Sequence, residues 1–206
     1  NQDKVRQIEE YYAQCELEGA NEHQVEESQK AVAKMEVIIG DPDRLRAVAE
    51  DFIKHYETRV AEGATVAGKA MFVCSNRNIA YDFYKIVKEL RPEWTEKKIC
   101  DDGVVLSEKD KKELKPMEKI KLVMTRNKDD EKDLFDMLGT KEDRKEFDRQ
   151  FKNPKSNFKI AIVVDMWLTG FDVPELDTIY IDKPIQQHTL IQTISRVNRV
   201  CEGKDK

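Results

Sequence analysis

A parallel α/β lobe preceded by a helical segment is the fold this sequence predicts, and three observations predict it. Short apolar runs rich in β-branched residues recur: KAMFVCS at Lys69–Ser75, IKLVM at Ile120–Met124, IAIVV at Ile160–Val164 and TIYI at Thr178–Ile181. Each is short enough to be a strand buried on both faces. Amphipathic helical stretches follow the first two runs, the order that builds a parallel sheet covered by helices. Upstream of Lys69 the chain is helical in composition and has no strand signal.

Taken in order, Val5, Ile8, Tyr11, Tyr12 and Cys15 give an approximate helical stripe, broken at Gly19-Ala20-Asn21. A second helix spans Val25 to Ile39 and stops at Gly40, a good residue just past a helix end. Asp41-Pro42 reads as an N-cap followed by the first helical residue. The helix it opens runs to about Ala61, with Leu45, Val48, Ala49, Phe52, Ile53 and Tyr56 on one face. Glu62–Gly68 is a turn of small residues leading to the first strand. Asn76–Leu90 is a helix with Ile79, Phe83, Ile86, Val87 and Leu90 inward. Glu96–Glu118 is charged and weakly periodic, and reads as a loop or insertion. After the second strand, Arg126–Gly139 is a charged connection with room for a short helix. Thr140 opens a helix to Phe151 with a capping-box pattern, Thr140-x-x-Asp143.

Composition narrows the function classes. Of 206 residues, 39% are hydrophobic and 37% charged, which fits a soluble, highly charged protein. No apolar run approaches the ~20 residues needed to cross a membrane. The N-terminus, NQDKVRQIEE, has no apolar signal core, so a cytoplasmic site is expected. Cys15, Cys74, Cys100 and Cys201 form no CxxC and have no His at ligand spacing, so reduced thiols and no metal site are expected. A net charge of -5 argues against a nucleic-acid coat protein, but DNA binding through a local basic patch remains open.

The stretch Lys159–Arg199 carries the chemistry. A loop, Asp165–Pro174, separates the last two apolar runs, and a helix follows from about His188 to Val200. Leu190, Ile191, Ile194 and Val197 fall on one side of it; Gln192, Arg196 and Arg199 line the other at i, i+4 and i+7. Two guanidiniums in a row suit phosphate or carboxylate. A solvated helix face is the alternative.

DMWLTGFDVP followed by QTISRVNR resembles motifs V and VI of superfamily 2 helicases and translocases. The wording, with DKP between them, is similar to the R subunit of type I restriction enzymes. KAMFVCSNRNIAYDFYKIVKELRPEW resembles motif IV of the same family, and KIKLVMT its motif IVa. The resemblance covers about Leu45 to Cys201. It implies a RecA-like lobe over residues 62–206, truncated at its C-terminus, after a helical linker segment over 1–61. Motors of this kind hold ATP and Mg²⁺ between two such lobes. This sequence has no G-x-x-x-x-G-K-[ST] and no DEAD-like acidic motif, so it resembles the second lobe. ATP and Mg²⁺ would then be held mainly by the first.

The resemblance also implies roles for particular residues. Arg199 and Arg196 match the arginines of motif VI, Arg199 as the finger on the γ-phosphate and Arg196 as its partner or as a pair for an acid such as Asp172. Gln192 would position a phosphate, an arginine or the motif V loop. Gly170 and Asp172 match the G-x-D of motif V, where the acid accepts a hydrogen bond from ribose or from an arginine. Thr169 would meet a DNA phosphate, although the wider superfamily often has an arginine before that glycine. Trp167 suits packing better than base stacking. Ser75, Asn76, Arg77 and Thr125 sit at strand ends where the DNA backbone would be touched; Ser75 and Asn76 equally suit helix capping, and Arg77 is the strongest of the group.

The parent implied is an ATP-dependent translocase of duplex DNA with a separate nuclease domain, working with modification and specificity subunits. Another superfamily 2 DNA or RNA helicase, or a non-catalytic binding module of the same fold, is the alternative.

Overall fold

The computed structural model describes residues 30, 34–164, 166–167 and 173–183. The chain divides between Asp41 and Pro42 into two compact units. In the first, residues 34–39 are helical and the Gly40 N–H closes the end on the Glu36 carbonyl at 2.9 Å. The second unit opens with α1, Pro42–Ala61, with proline at the position where a helix needs no N–H.

Four strands make one sheet in the order β2-β3-β1-β4, and every pair is parallel: β1 is Lys69–Cys74, β2 Ile120–Leu122, β3 Ile160–Val163 and β4 Leu176–Asp182. The register sets Ala70 beside Ile160, Val73 beside Val163, and Cys74 beside Asp182. All six residues of β1 and all four of β3 are buried, which is why they read as unbroken apolar runs rather than alternating ones. The sheet expected from the sequence is therefore present, with β2 two residues shorter and β4 longer than their apolar runs.

Alternation along the strands splits the core between two faces. Met71, Val73, Ala161 and Val163 pack with Phe147, Phe151 and Phe158 on one side. Phe72 faces the other way, its ring stacked on Phe83 with centroids 3.9 Å apart. Phe83 belongs to α2, Arg77–Leu90, whose buried residues Ile79, Phe83 and Val87 recur every three or four positions. Phe147 and Phe151 lie on α5, Lys141–Lys152, which opens with the Thr140/Asp143 capping box.

The region 96–118 is more ordered than its weak periodicity suggests. A 3₁₀ turn at Pro92–Thr95 leads into it, Lys98 pairs with Met117 in an isolated antiparallel bridge, and Glu108–Glu113 forms a short helix, α3. Polar caps and ties specify it, not an apolar stripe. Ser107 and Asp110 make a second capping box, and Lys155 reaches Asp110 at 2.6 Å. Those bonds, from Lys155 first and then Ser107, hold the Asp110 carboxyl down at about 2.

Gly139 joins α4, Lys132–Leu138, to the cap of α5. Its φ of 64° and ψ of 178° lie where essentially only glycine is stable, and an added Cβ would meet the Asp143 Cβ at 2.7 Å. Gly139→Ala should therefore cost about 1–3 kcal/mol of stability, read as a lower urea midpoint. An unchanged midpoint would show that this turn relaxes freely.

At the amino edge of the sheet, Lys69 is 1% exposed, donating from Nζ to the Phe158 carbonyl at 2.6 Å and lying over the Phe151 ring. Burial first, then the nearby Lys159 charge, hold its pKa well below the usual value, with Asp101 and Glu175 opposing. Lys159 is lowered too, chiefly by burial. The unfolded chain protonates these amines below about pH 10.4, whereas the folded chain resists until lower pH. Between those limits the unfolded state binds more protons, so stability rises with pH. Above about pH 8.5 the Cys74 thiol opposes this rise, and above about pH 10 the Tyr84 and Tyr180 phenols join it, because burial raises all three and the unfolded chain ionises first. Stability should climb as pH rises through the range between the folded and unfolded values of these amines, and Lys69→Met should flatten the climb. Urea midpoints across that window decide it; equal slopes in both proteins would mean Lys69 stays charged when folded.

Candidate functional site at the carboxyl edge of the sheet

Because all four strands run the same way, their carboxyl ends share one edge, where ligands of open α/β sheets collect. The residues leaving this edge are Ser75–Arg77 after β1, Val123–Thr125 after β2, Val164 after β3 and Lys183 after β4.

The motif IV candidates are brought together here. Asn76, in extended backbone at φ -149°, caps α2 by accepting the Ile79 N–H at 3.0 Å. Ser75 Oγ donates to the Asp182 carbonyl at 3.1 Å, tying β1 to β4. Arg77 donates from one terminal nitrogen to the Thr125 carbonyl at 2.7 Å, and its other terminal nitrogen lies 2.6 Å from both carboxylate oxygens of Asp130. Asp130 is 6% exposed at the side chain and also accepts the Asn127 N–H at 2.7 Å. Thr125 is exposed. Arg77 thus joins the end of β1 to the loop after β2 from within the fold.

The next residue, Arg126, lays its guanidinium over the Phe135 ring, 4.3 Å from the centroid. Its Nε is buried and has no hydrogen-bond partner among the described residues.

The far end of the edge is laced together. Arg44, from α1, pairs with both carboxylate oxygens of Asp182, one contact being 3.1 Å. Lys183 Nζ reaches past β1 to the Val164 carbonyl at 3.2 Å. The end of β4 is therefore fixed to α1, to β1 and to the end of β3. Tyr180, two residues back, packs edge-on against Phe52, and its hydroxyl lies 2.8 Å from His55 Nδ1. Burial pushes that phenol up to about 12. Trp167, after β3, holds a φ of 66°, rare for a non-glycine residue, with its ring against Phe151 at 5.3 Å. It packs, as its sequence context suggests.

Thr169, Gly170 and Asp172 of the motif V match, and Gln192, Arg196 and Arg199 of the motif VI match, lie outside the described residues. So do the helical stripe read from Val5 to Cys15 and, apart from residues 30 and 34–39, the helix read over Val25 to Ile39. The residues that sequence reasoning missed are Asp130, Arg44, Asp182 and Lys183. The last two fall in the DKP wording already noted; the first two have no local signal, because their partners lie 53 and 138 positions away.

An all-parallel sheet with helices on its faces and a polar, cross-laced carboxyl edge defines a RecA-like α/β lobe. Its sequence matches the model of "Type I restriction enzyme subunit R domain 3" over residues 66–206, and the chain belongs to that family. It is 36% identical over 181 residues to the HindI type I restriction enzyme endonuclease subunit of Haemophilus influenzae, covering 88% of this chain and 15% of that protein. It is 38% identical over 187 residues to a Methanocaldococcus jannaschii protein named for the MjaIXP type I restriction enzyme endonuclease subunit, covering 90% of this chain and 15% of that one. Over 59 residues, 26% of this chain and 6% of the relative, it is 49% identical to a type I restriction enzyme endonuclease subunit of Staphylococcus aureus. The chain thus spans about 15% of the length of the first two relatives. No helix among the described residues is long and apolar enough to cross a membrane.

Proposed function

We propose that this chain is the second RecA-like motor lobe of the restriction subunit of a type I restriction-modification enzyme, acting in ATP-driven translocation of duplex DNA. One observation carries the reading. Strands β3 and β4 flank β1 in the sheet, and the three strands lead into the motif V, motif VI and motif IV matches respectively. Residues far apart in sequence therefore leave a single edge, where a nucleotide on one side and a DNA backbone on the other could be addressed together.

In this reading the lobe supplies the trans half of an ATP site. Arg199 stabilises the charge that spreads over the γ-phosphate oxygens during transfer, and Arg196, Gln192, Asp172 and Gly170 arrange it and the nucleotide. ATP and Mg²⁺ are held mainly by a first lobe, because this sequence has no phosphate-loop motif of its own. Thr169, Ser75, Asn76, Arg77 and Thr125 form the DNA-facing group, either by contact or by shaping the edge. The partners are duplex DNA, the first lobe and nuclease domain of the parent, and its modification and specificity subunits, all cytoplasmic. The test is duplex-stimulated ATP turnover of the full-length parent, wild type beside Arg199→Ala. Equal turnover would reduce the lobe to a binding module.

A further inference from the structure

We propose that Arg77 and Asp130 form a clamp that presents the loop 125–130 to the DNA backbone, with Arg126 as the cation that meets phosphate and Arg77 as a positioning residue. This rests on the reading of the lobe as one that tracks duplex DNA.

The bonding of Arg77 is the first argument. Its guanidinium already serves the Thr125 carbonyl and both oxygens of Asp130. Drawing it out to a phosphate would leave Asp130, 6% exposed at the side chain, as a buried and unpaired carboxylate. Asp130 could not follow, because its oxygen also holds the Asn127 N–H and its own N–H bonds the Asn127 carbonyl at 3.2 Å. Arg77 is therefore committed to the fold.

Arg126 is placed differently. Its guanidinium is oriented by the Phe135 face rather than by an acid. Asp143 feels its charge, yet no carboxylate among the described residues lies within ion-pair distance. A stacked guanidinium keeps its donor edges available for phosphate.

The loop's acids supply the reason for a clamp. Close to Arg126 in sequence, Asp129 and Glu131 are exposed, as is Lys128. A freely turning loop would present these carboxylates to DNA as readily as its cations. Fixing Thr125 through Arg77, and the 127–130 turn through Asp130, selects the orientation in which Arg126 leads.

The experiment measures affinity of the full-length parent subunit for a plain duplex across a salt series, with thermal unfolding to confirm each variant is folded. Arg126→Gln should weaken binding ~3- to 10-fold and lower the slope of log affinity against log salt by about 0.9. Asp130→Asn should also weaken binding, although it removes a negative charge. Arg77→Ala should weaken wild type but add little to Arg126→Gln. Tighter binding by Asp130→Asn would mean that a released Arg77 goes to phosphate, and would overturn the clamp. So would additive losses for Arg77→Ala and Arg126→Gln, or an unchanged Arg126→Gln protein. A wild type whose ATP turnover ignores duplex DNA would instead sink the motor reading, and the clamp's purpose with it.

Discussion

Alanine at Arg199 should lower duplex-stimulated ATP turnover of the full-length parent about a thousandfold while leaving ATP binding largely intact. The size follows from the chemistry. Phosphoryl transfer has little covalent work for the protein to do, and rate comes from positioning and from cations placed where charge develops; a finger arginine is worth ~10³–10⁵ in turnover. Binding persists because the first lobe would hold the nucleotide, and a group that acts only in the transition state leaves the ground state alone. The lacing of the sheet edge makes such precision plausible in physical terms. The chain leaves β4 at Asp182-Lys183, a point gripped by Arg44, Ser75 and Lys183 itself. Arg196→Ala measured alongside separates finger from partner: the larger fall in turnover marks the finger. If neither variant changes turnover, the polar stripe Gln192–Arg196–Arg199 is a solvated helix face.

Strands and helices were legible in this sequence wherever burial is two-sided or striped. β1 and β3 are wholly buried, so apolar run length alone locates them; α1 begins at Pro42 because proline there is locally decisive. The short helix α3 was not, although Ser107-x-x-Asp110 has the same capping pattern as Thr140-x-x-Asp143. Its six residues bury nothing, so periodicity is silent, and only caps and the Lys155 bond define it. At the site the division is similar. The ends of the apolar runs locate Ser75, Asn76, Arg77 and Thr125 at the sheet edge, because those runs are the strands. They cannot show what these residues bond to. Arg77 reads as the strongest phosphate donor of its group, and its partner Asp130 is reached only through the parallel stacking of β1, β3 and β2.

Phe52→Ala should destabilise the chain by about 3–5 kcal/mol, lowering the unfolding temperature by roughly 10 °C. Phe52 is 2% exposed, on the inner face of α1. Its ring meets Tyr180 of β4 edge-on at 4.8 Å, Phe72 of β1 at 5.1 Å and Phe83 of α2 at 5.7 Å. Truncation therefore opens a cavity where four elements converge and removes edge-to-face contacts worth ~0.5–1.5 kcal/mol each beyond burial. Val48, half-buried on the same helix, is the control: Val48→Ala should cost about 1 kcal/mol or less. The comparison also bears on function, because α1 carries Arg44 to the end of β4. If α1 is integral to the lobe, loosening its aromatic anchor loosens that grip, and ATP turnover in the parent should fall with stability. If Phe52→Ala costs no more than Val48→Ala, α1 only rests on the sheet, and Arg44 cannot fix the strand end from which Arg196 and Arg199 follow.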